Sequence, residues 1–577
     1  MKRKMFVGLV SFIISLMPVV TAEIEKKDTV LFYGNSMVER LLEHGELEAR
    51  LQIAKQQESG KGHLHIRSLA WTGDEVGYRL RLEGYEKHLK KLINEWPAGT
   101  LVLGYGFYES FEGQEGLQSF EEQYRVHLSQ LKHTHAGAKI VMLSPIASED
   151  ASAERNADLQ LYANAIQQLA KEFNAQYVDL FTPTQKAYTA SEPKLTDRGI
   201  HLNEAGNRLV AQVIANEMAG AHAPDPKHLH EVALAAAAKH LRVAEVVRPK
   251  NAVVYFGVRE RPKEYAEEMP RYHKMIELTE EVVHQLAVQP NKKFSEMTKP
   301  SLPAMKEGKG SKARMGMGVT KPPIKAEAEL KVAEGYEVNL FASEKEFPEL
   351  RNPVQIAFDA RGRLWVVTMP SFPHTAPGLT PPDKIIILED TDNDGKADKC
   401  TTYMEGLDAL DGIAFHQDGV IISEQPRLWL TRDTDGDDKV DEKVELLRGI
   451  DVTDSHHGGM IATDPNGDII FSDGVFHRSQ LETPFGVHRG IDSTTYRLDI
   501  DSGIVNTEYQ HTTPNPWNVE FDRYGDTFQM YGDGHFYDTA ALPWTPLGAY
   551  QAFRYGSIAQ YGKGSGIAIV DLSLIHI

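Results

Sequence analysis

The chain has 577 residues, with 82 Asp and Glu against 62 Lys and Arg and a formal net charge of −20. A chain of this length exceeds a single hydrophobic core, so we expect two or more domains. The acidic balance argues against a nucleic-acid partner, because binding phosphates requires clustered basic residues. The composition fits a globular protein that meets neutral substrates or cations.

The first 22 residues have the features of a secretory signal. A basic start is followed by an apolar run and by Val-Thr-Ala, which fits cleavage after Ala22. The apolar run is shorter than the roughly 18 residues that span a membrane. We therefore expect a secreted or periplasmic protein with no stable membrane insertion after cleavage. Cys400 is the only cysteine, so no intrachain disulfide can form.

Residues 28–222 alternate between apolar, strand-like runs and amphipathic, helix-like stretches. TVLFYG (29–34) and TLVLGYG (100–106) are typical of the former, and SFEEQYRVHLSQLKHT (119–134) of the latter. This alternation predicts a parallel sheet with helices on both faces, a three-layer α/β domain. Ligand sites in such sheets lie at the carboxyl ends of the strands, and Ser36 follows the first strand.

The remaining chain divides into three segments with different patterns. Residues 223–288 have the periodicity of helices and are predicted to be a helical connector. Residues 289–324 are rich in Lys, Pro, Gly and Met and predict a linker. Residues 325–571 are dominated by short strands and turns, which predicts an all-β domain.

A strand–turn–strand unit recurs four times in the all-β segment. Its turn glycines, 57, 48 and 58 residues apart, are Gly362, Gly419, Gly467 and Gly525. A repeat of roughly 50 residues predicts a β-propeller, with a sandwich as the alternative. Four units are few for a propeller, and residues 572–577 resemble an adapter or a frameshifted tail. We therefore expect the propeller to be incomplete.

Four blocks of the α/β segment carry the residue types of a hydrolytic serine site. Such a site needs a nucleophile, a base, an orienter for that base and donors for the oxyanion. YGNSM contains Ser36, WTGDEV contains Gly73, and GYGFYESF contains Tyr108. LTDRGIHLNEAG contains Asp197 and His201. The alternative is that Ser36 only caps the helix after the first strand.

These blocks resemble the SGNH (GDSL-type) hydrolases, with GNSM where Gly-Asp-Ser-Leu is usual. The resemblance implies a flavodoxin-like α/β fold, Ser36 as nucleophile, His201 as base and the Gly73 amide as an oxyanion donor. It implies Asp197 as the orienter, although Asp197 precedes His201 by four residues rather than the usual three. Tyr108 stands where the family has an oxyanion asparagine, so one donor is missing or is replaced by a phenol.

A wider resemblance covers nearly all of residues 28–571. The four blocks, together with VVRPKNAVVYFGVRERP and YEVNLFASE, resemble large secreted proteins of Planctomycetes and Verrucomicrobia. In those proteins an SGNH module precedes a propeller, often followed by a c-type haem domain. The resemblance implies a redox partner if such a domain follows in a longer chain.

Two acidic segments, DTDNDGKAD and DTDGDDKVD, have the spacing of calcium loops. Carboxylates at positions 1, 3, 5 and 9 are Asp390, Asp392, Asp394 and Asp398 in the first loop and Asp433, Asp435, Asp437 and Asp441 in the second. Alternating hard oxygen ligands suit calcium. Thr401 stands where an EF-hand has its bidentate glutamate, and Asp438 replaces the glycine of the second loop. The alternative is a pair of solvated acidic turns.

The segment DSHHGGM places His456 and His457 between two predicted strands. The predicted propeller resembles the soluble sugar dehydrogenases that use pyrroloquinoline quinone, in which a loop histidine acts as base. The resemblance implies a quinone site at these two residues, although the cofactor-binding Arg and Lys residues cannot be matched. The alternative is a structural histidine pair.

Together these patterns predict an exported SGNH-type ester hydrolase that acts on a small-molecule or polysaccharide ester, such as an acetylated glycan. The propeller would bind the glycan or act as a dehydrogenase-like module. Two alternatives remain open. One is a sugar oxidoreductase carried by the propeller, and the other is a non-catalytic glycan-binding protein with an inert SGNH domain.

Overall fold

The computed structural model describes most of the chain between residues 29 and 560. The described ranges are 29–59, 63–149, 153–191, 193–220, 223–257, 265–298, 301–302, 334–335, 337–417, 419–454, 461–510, 516–522, 524–531, 535–538 and 557–560. The predicted signal segment, most of the predicted linker, His456 and His457, and the predicted tail lie outside these ranges. None of the helices in the described ranges is long and apolar enough to cross a membrane.

The N-terminal domain contains one parallel five-stranded sheet of order β2-β1-β3-β4-β5. Its strands are β1 (Thr29–Gly34), β2 (His65–Ser68), β3 (Thr100–Gly104), β4 (Lys139–Leu143) and β5 (Gln176–Val178). Alternate side chains of β1 enter different cores, because Leu31 and Tyr33 pack in one cluster and Val30 and Phe32 in the other. The predicted three-layer α/β domain is therefore confirmed.

Seven helices cover this sheet. They are α1 (Ser36–Glu43), α2 (Glu46–Ser59), α3 (Tyr85–Glu95), α4 (Gly113–Thr134), α5 (Ala153–Glu172), α6 (Phe181–Tyr188) and α7 (Glu204–Ala219). A small antiparallel pair, β6 (Thr196–Asp197) and β7 (His201–Leu202), precedes α7. The amphipathic stretch at 119–134 lies in α4, as predicted.

The predicted connector consists of α8 (Pro226–Val247) and α9 (Glu268–Ala287). The two helices pack against each other and against α2 of the α/β domain. Lys239 of α8 is fully buried, and its Nζ lies 2.5 Å from a carboxylate oxygen of Glu48 in α2. The connector is thus an integral layer of the N-terminal unit, because a buried ion pair of this kind requires both elements to be fixed.

The C-terminal region is all-β and contains four antiparallel sheets of four strands. The first sheet consists of β8 (Pro353–Phe358), β9 (Leu364–Thr368), β10 (Asp383–Glu389) and β11 (Lys399–Leu407). The second sheet consists of β12 (Leu410–His416), β13 (Gly419–Glu424), β14 (Arg427–Arg432) and β15 (Glu442–Arg448). Each of the four predicted repeat units is the first hairpin of one sheet. That these sheets close into a propeller stays a prediction.

The third sheet differs from the others by an insertion. The third sheet consists of β16 (Ile461–Thr463), β17 (Ile469–Ser472), β20 (Thr494–Leu498) and β21 (Val505–Gln510). The fourth sheet consists of β22 (Pro516–Phe521), β23 (Thr527–Tyr531), β24 (His535–Asp538) and β25 (Ser557–Gln560). Between β17 and β20 the chain forms a separate hairpin of β18 (Arg478–Thr483) and β19 (Gly486–Ile491). We call this the inserted hairpin, and it packs on the α/β domain.

A buried charge network also joins the two regions. Arg448 at the end of β15 lies with its Nη1 2.8 Å from a carboxylate oxygen of Glu43 in α1 and its Nη2 2.9 Å from Glu445. Arg40 of α1 pairs with the same Glu445. The interface therefore holds opposite charges from both regions in direct contact.

Candidate functional site

Ser36 lies directly after β1, at the carboxyl edge of the parallel sheet. Asn35 is the N-cap of α1, and its side chain accepts a hydrogen bond from the Met37 N–H at 3.1 Å. Ser36 is therefore the first helical residue, and the alternative that Ser36 itself caps the helix is wrong. Its side chain is buried at the positive end of α1, where negative charge on its oxygen is favoured.

The carboxylate of Glu482, from β18 of the inserted hairpin, lies against Ser36. Its Oε1 accepts hydrogen bonds from the backbone N–H of Gly73 at 2.7 Å and of Ser36 at 3.2 Å. The Ser36 hydroxyl donates to its Oε2. Glu482 has no exposed side-chain surface. The Gly73 amide, which the resemblance implies as an oxyanion donor, and the Ser36 amide thus converge on one oxygen atom.

His201, on β7, faces the same carboxylate. Its Nδ1 lies 3.9 Å from Glu482 Oε2, the oxygen that accepts the Ser36 hydroxyl. Burial, and then the charge of Arg40, lower the pKa of His201 well below its usual value. The imidazole is consequently neutral near pH 7, the form that can accept a proton.

Asp197 is not brought into contact with His201. The two residues are opposite each other in the β6–β7 pair, but the described contacts include no hydrogen bond or ion pair between their side chains. Asp197 is exposed, whereas only 12% of the His201 side chain is exposed. Arg198 and Gly199 reverse the chain between them with φ of 54° and 73°. The role of orienter for Asp197 has no support in this geometry.

Tyr108 is buried in the site, where the resemblance implies an oxyanion asparagine. Burial, and then the charge of Glu482, raise the pKa of Tyr108 well above 10. The phenol therefore keeps its proton at neutral pH and can act as a donor. The structure brings together Ser36, Gly73, Tyr108 and His201, four of the five residues that sequence reasoning selected.

Two glutamates of the site were missed by sequence reasoning. Glu109 is buried and accepts hydrogen bonds from the N–H groups of Val76 and Gly106, both at 2.8 Å, which ties two of the site loops together. Burial raises the pKa of Glu109 to about 7. Glu109 lies inside the block GYGFYESF, so its position was a usable signal. Glu482 is 446 residues from Ser36 and had none.

A small crevice with a cavity volume of about 10 Å³ lies beside Ser36. Most of its lining is apolar or aromatic, from Met37, Tyr105, Phe107, Tyr108, Ile146 and Ile200. This volume admits about one water molecule and is far below the roughly 300 Å³ of pockets that hold drug-sized ligands. With Glu482 against Ser36, the space beside the nucleophile is therefore almost filled.

The two acidic loops bring three carboxylates together in each case. In the first loop, one carboxylate oxygen each from Asp390, Asp392 and Asp398 lies within 4.8 Å of the other two. The same holds in the second loop for Asp433, Asp435 and Asp441. Asp394 and Asp437 lie outside these groups and accept hydrogen bonds from backbone N–H groups two residues on. The donor set consists of hard oxygens, which fits calcium.

A third group with metal-ligand residue types lies between β2 and α9, at His65, Glu280 and His284. Arg67 binds both carboxylate oxygens of Glu280, at 2.5 and 2.9 Å. A guanidinium thus already neutralises this carboxylate, which disfavours a metal ion there. His456 and His457, the predicted quinone-site residues, lie outside the described residues, so the quinone stays a prediction.

Two parts of the chain match known protein families. Residues 46–209, a range that begins after Ser36, match the GDSL-like Lipase/Acylhydrolase family, which supports an SGNH (GDSL-type) hydrolase domain over that range. Residues 322–539 match a domain of unknown function (DUF7133), and this range includes Glu482. No curated protein matches the chain significantly. The resemblance to secreted proteins of Planctomycetes and Verrucomicrobia stays a prediction.

Solved structures similar to the chain include two acetylxylan esterases. Axe2, an acetylxylan esterase from Geobacillus stearothermophilus, is 15% identical, with a TM-score of 0.27 over 34% of this chain and 96% of its own. The acetyl xylan esterase AlAXEase is 22% identical, with a TM-score of 0.26 over 32% of this chain and 97% of its own.

Proposed function

We propose that the α/β domain is a serine ester hydrolase, with Ser36 as nucleophile and His201 as base. One observation carries the proposal. The N–H groups of Ser36 and Gly73 converge on a single oxygen, Glu482 Oε1, while the Ser36 hydroxyl contacts the other oxygen of the same carboxylate. This is the arrangement that an oxyanion and an attacking serine require. The match of residues 46–209, which include His201 and Gly73 but not Ser36, to an acylhydrolase family supports this type of domain.

The residues then act in a fixed order. Neutral His201 takes the proton of the Ser36 hydroxyl as its oxygen attacks the ester carbonyl. The backbone N–H groups of Ser36 and Gly73 hold the negative charge that develops on the carbonyl oxygen, and the Tyr108 phenol donates beside them. Protonated His201 gives its proton to the departing alcohol. Water then hydrolyses the acyl-serine by the same steps in reverse.

We propose a short acyl group as the part of the substrate held next to Ser36. The adjacent crevice has a cavity volume of only about 10 Å³ and a mostly apolar lining, which suits an acetyl group better than a fatty acyl chain. The alcohol part is open in this proposal, and an acetylated polysaccharide is the candidate that fits an exported protein. Export itself is part of the proposal, since the signal segment lies outside the described residues.

Hydrolysis of p-nitrophenyl acetate by the full chain tests this function. We expect a rate that Ser36→Ala removes and that His201→Gln lowers by a hundredfold or more, since general-base catalysis contributes about 10²–10⁴-fold. Ser129→Ala, at an exposed serine of α4, is the matched control and should keep the parent rate. p-Nitrophenyl decanoate should be cleaved more slowly than the acetate. Hydrolysis that survives Ser36→Ala would contradict the proposal.

We also propose that the two acidic loops bind calcium. The support is the approach of three carboxylate oxygens within 4.8 Å in each loop, because like charges at this distance repel unless a cation lies between them. Asp390, Asp392 and Asp398 would hold one ion, and Asp433, Asp435 and Asp441 the other. Calcium here would fix the hairpin turns of the all-β region.

A further inference from the structure

The inserted hairpin makes specific contacts with the loop that carries Gly73. The Gln480 amide donates to the Thr72 carbonyl oxygen and to an Asp74 carboxylate oxygen, both at 3.1 Å. The same side chain accepts from the Leu80 N–H at 3.0 Å. Arg489, on β19, donates to the Gly73 carbonyl oxygen at 2.9 Å. Both strands of the hairpin therefore contact the loop that supplies an oxyanion donor.

The approach of the hairpin to Gly73 is close enough to require glycine. Gly73 has a φ of 76°, and a Cβ at this position would lie 2.4 Å from the Cβ of Gln480. No side chain fits in this space, and few residues adopt this backbone conformation. The hairpin thus lies directly on the loop that supplies the oxyanion donor.

Glu482 occupies the place of the substrate's reacting group. Its carboxylate uses the N–H groups of Ser36 and Gly73 and also the Ser36 hydroxyl, the three groups that an ester carbonyl would need. A carboxylate is also the acid product of ester hydrolysis, so the same donors recognise both. While Glu482 is bound, an ester cannot reach the nucleophile.

We propose that the inserted hairpin is an internal inhibitor of the hydrolase site, with the Glu482 carboxylate bound as a mimic of the acid product. This inference rests on the proposed ester hydrolase function and adds its regulation. The site accepts substrate only when the hairpin withdraws Glu482 from the oxyanion donors.

Two features of the closed state favour a reversible closure. First, the buried Glu482 carboxylate has no Lys or Arg partner within 4.0 Å among the described residues, and burial raises its pKa, which the charge of Arg40 offsets only in part. An anion without a directly paired cation is costly to bury. Second, the hairpin joins its sheet through turns at both ends, where Phe476, Asp492 and Ser493 have φ of 66°, 48° and 42°. These turns are the positions at which a change of backbone angle would move the hairpin as a unit.

Substitution of Glu482 in the full chain tests the inference by hydrolysis of p-nitrophenyl acetate. We expect Glu482→Ala to hydrolyse the ester at least tenfold faster than the wild type, because the oxyanion donors become free. Glu482→Gln should increase the rate less, since its amide oxygen still fits the donors but is a weaker acceptor than a carboxylate. Glu405→Ala, at an exposed glutamate of the same region, is the matched control and should leave the rate unchanged.

Added acetate provides a readout that a purely structural role of Glu482 would not change. In Glu482→Ala, sodium acetate should lower the rate by filling the vacated donors, while sodium chloride at equal ionic strength should not. The wild type should be insensitive to acetate over the same range. Absence of any acetate effect in Glu482→Ala would overturn the assignment of the carboxylate as occupant.

The outcomes separate failure of the inference from failure of the proposed function. If wild type and Glu482→Ala hydrolyse the ester at equal rates and Ser36→Ala abolishes both, the hairpin is not an inhibitor, but the hydrolase function stands. No Ser36-dependent hydrolysis in any variant would overturn both. If circular dichroism shows that Glu482→Ala does not fold, Glu482→Gln decides by the same comparison, because it preserves the size and shape of the side chain.

Discussion

The α/β domain and the all-β region contribute to the site in different ways. Ser36, Gly73 and Tyr108 follow parallel strands of one sheet, so the sheet itself brings them to a common edge. Glu482 comes from a hairpin inserted into a separate sheet, and reaches the site only because the two regions dock. The α/β domain thus contributes the proposed catalytic groups, and the all-β region contributes the carboxylate that occupies them.

The largest effect should come from weakening the contact between the α/β domain and the all-β region. Arg448→Met removes the buried guanidinium that pairs with Glu43 and Glu445, so two buried carboxylates lose a partner. Breaking a buried pair typically costs about 3–5 kcal/mol. We expect a loss of this size in the free energy of unfolding, measured in urea.

An exposed pair provides the control for this loss. Arg125 contacts Glu121 and Glu172 at the surface, where a salt bridge contributes about 0–1 kcal/mol, so Arg125→Met should change stability little. Equal effects of Arg448→Met and Arg125→Met would show that the network does not hold the two regions together.

A second experiment tests whether the Tyr108 phenol of the α/β domain contributes to catalysis. In the Glu482→Ala background, Tyr108→Phe should lower kcat for p-nitrophenyl acetate by about a hundredfold, the typical effect of one lost oxyanion donor. Tyr124→Phe is the control, because Tyr124 is a fully buried tyrosine of the domain core. If Tyr108→Phe and Tyr124→Phe have the same kcat, the phenol is not an oxyanion donor.

Calcium should affect the all-β region and not the catalytic groups. A ligand at a hundredfold excess over its Kd stabilises the folded state by about 2.7 kcal/mol. We expect millimolar calcium to raise the melting temperature of the full chain, chelator to lower it, and Asp392→Ala with Asp398→Ala to reduce the response. Asp501→Ala, at another exposed aspartate, should retain it. A melting temperature that does not change with calcium would show that these loops are acidic turns that bind no calcium.

The smallest effect should come from Asp197. Its side chain makes no described hydrogen bond or ion pair with His201, so Asp197→Asn in the Glu482→Ala background should lower kcat by less than tenfold. The aspartate of an intact serine triad contributes about 10⁴-fold by comparison. A loss of a thousandfold would mean that Asp197 orients His201 during the reaction.

The α/β domain was largely predictable because its pattern is local. Continuous apolar strands and amphipathic helices gave the parallel sheet, and short motifs after the strands gave Ser36, Gly73 and Tyr108. Asp197 could not be predicted as reliably. Asp197 lies one residue further from His201 than the usual spacing, and a motif does not specify whether the two side chains then make contact.

The inserted hairpin could not be predicted from the repeat spacing. The interval from Gly467 to Gly525, which contains the hairpin, is 58 residues, but the interval from Gly362 to Gly419 is 57 without one. Glu482 has no motif around it, and its role depends on docking across 446 residues of sequence. The same limit applies to Glu445 and Arg448, whose partners in α1 belong to the other region.

Phosphorylation of Ser36 by diethyl p-nitrophenyl phosphate tests the central claim most directly, because the reagent's phosphoryl oxygen must enter the same oxyanion donors. Each modified serine releases one p-nitrophenolate, so the rate and stoichiometry are read from absorbance. We expect slow release from the wild type and at least tenfold faster release, approaching one equivalent, from Glu482→Ala. The double variant Glu482→Ala, Ser36→Ala should release none. Wild type and Glu482→Ala reacting at the same Ser36-dependent rate would contradict it.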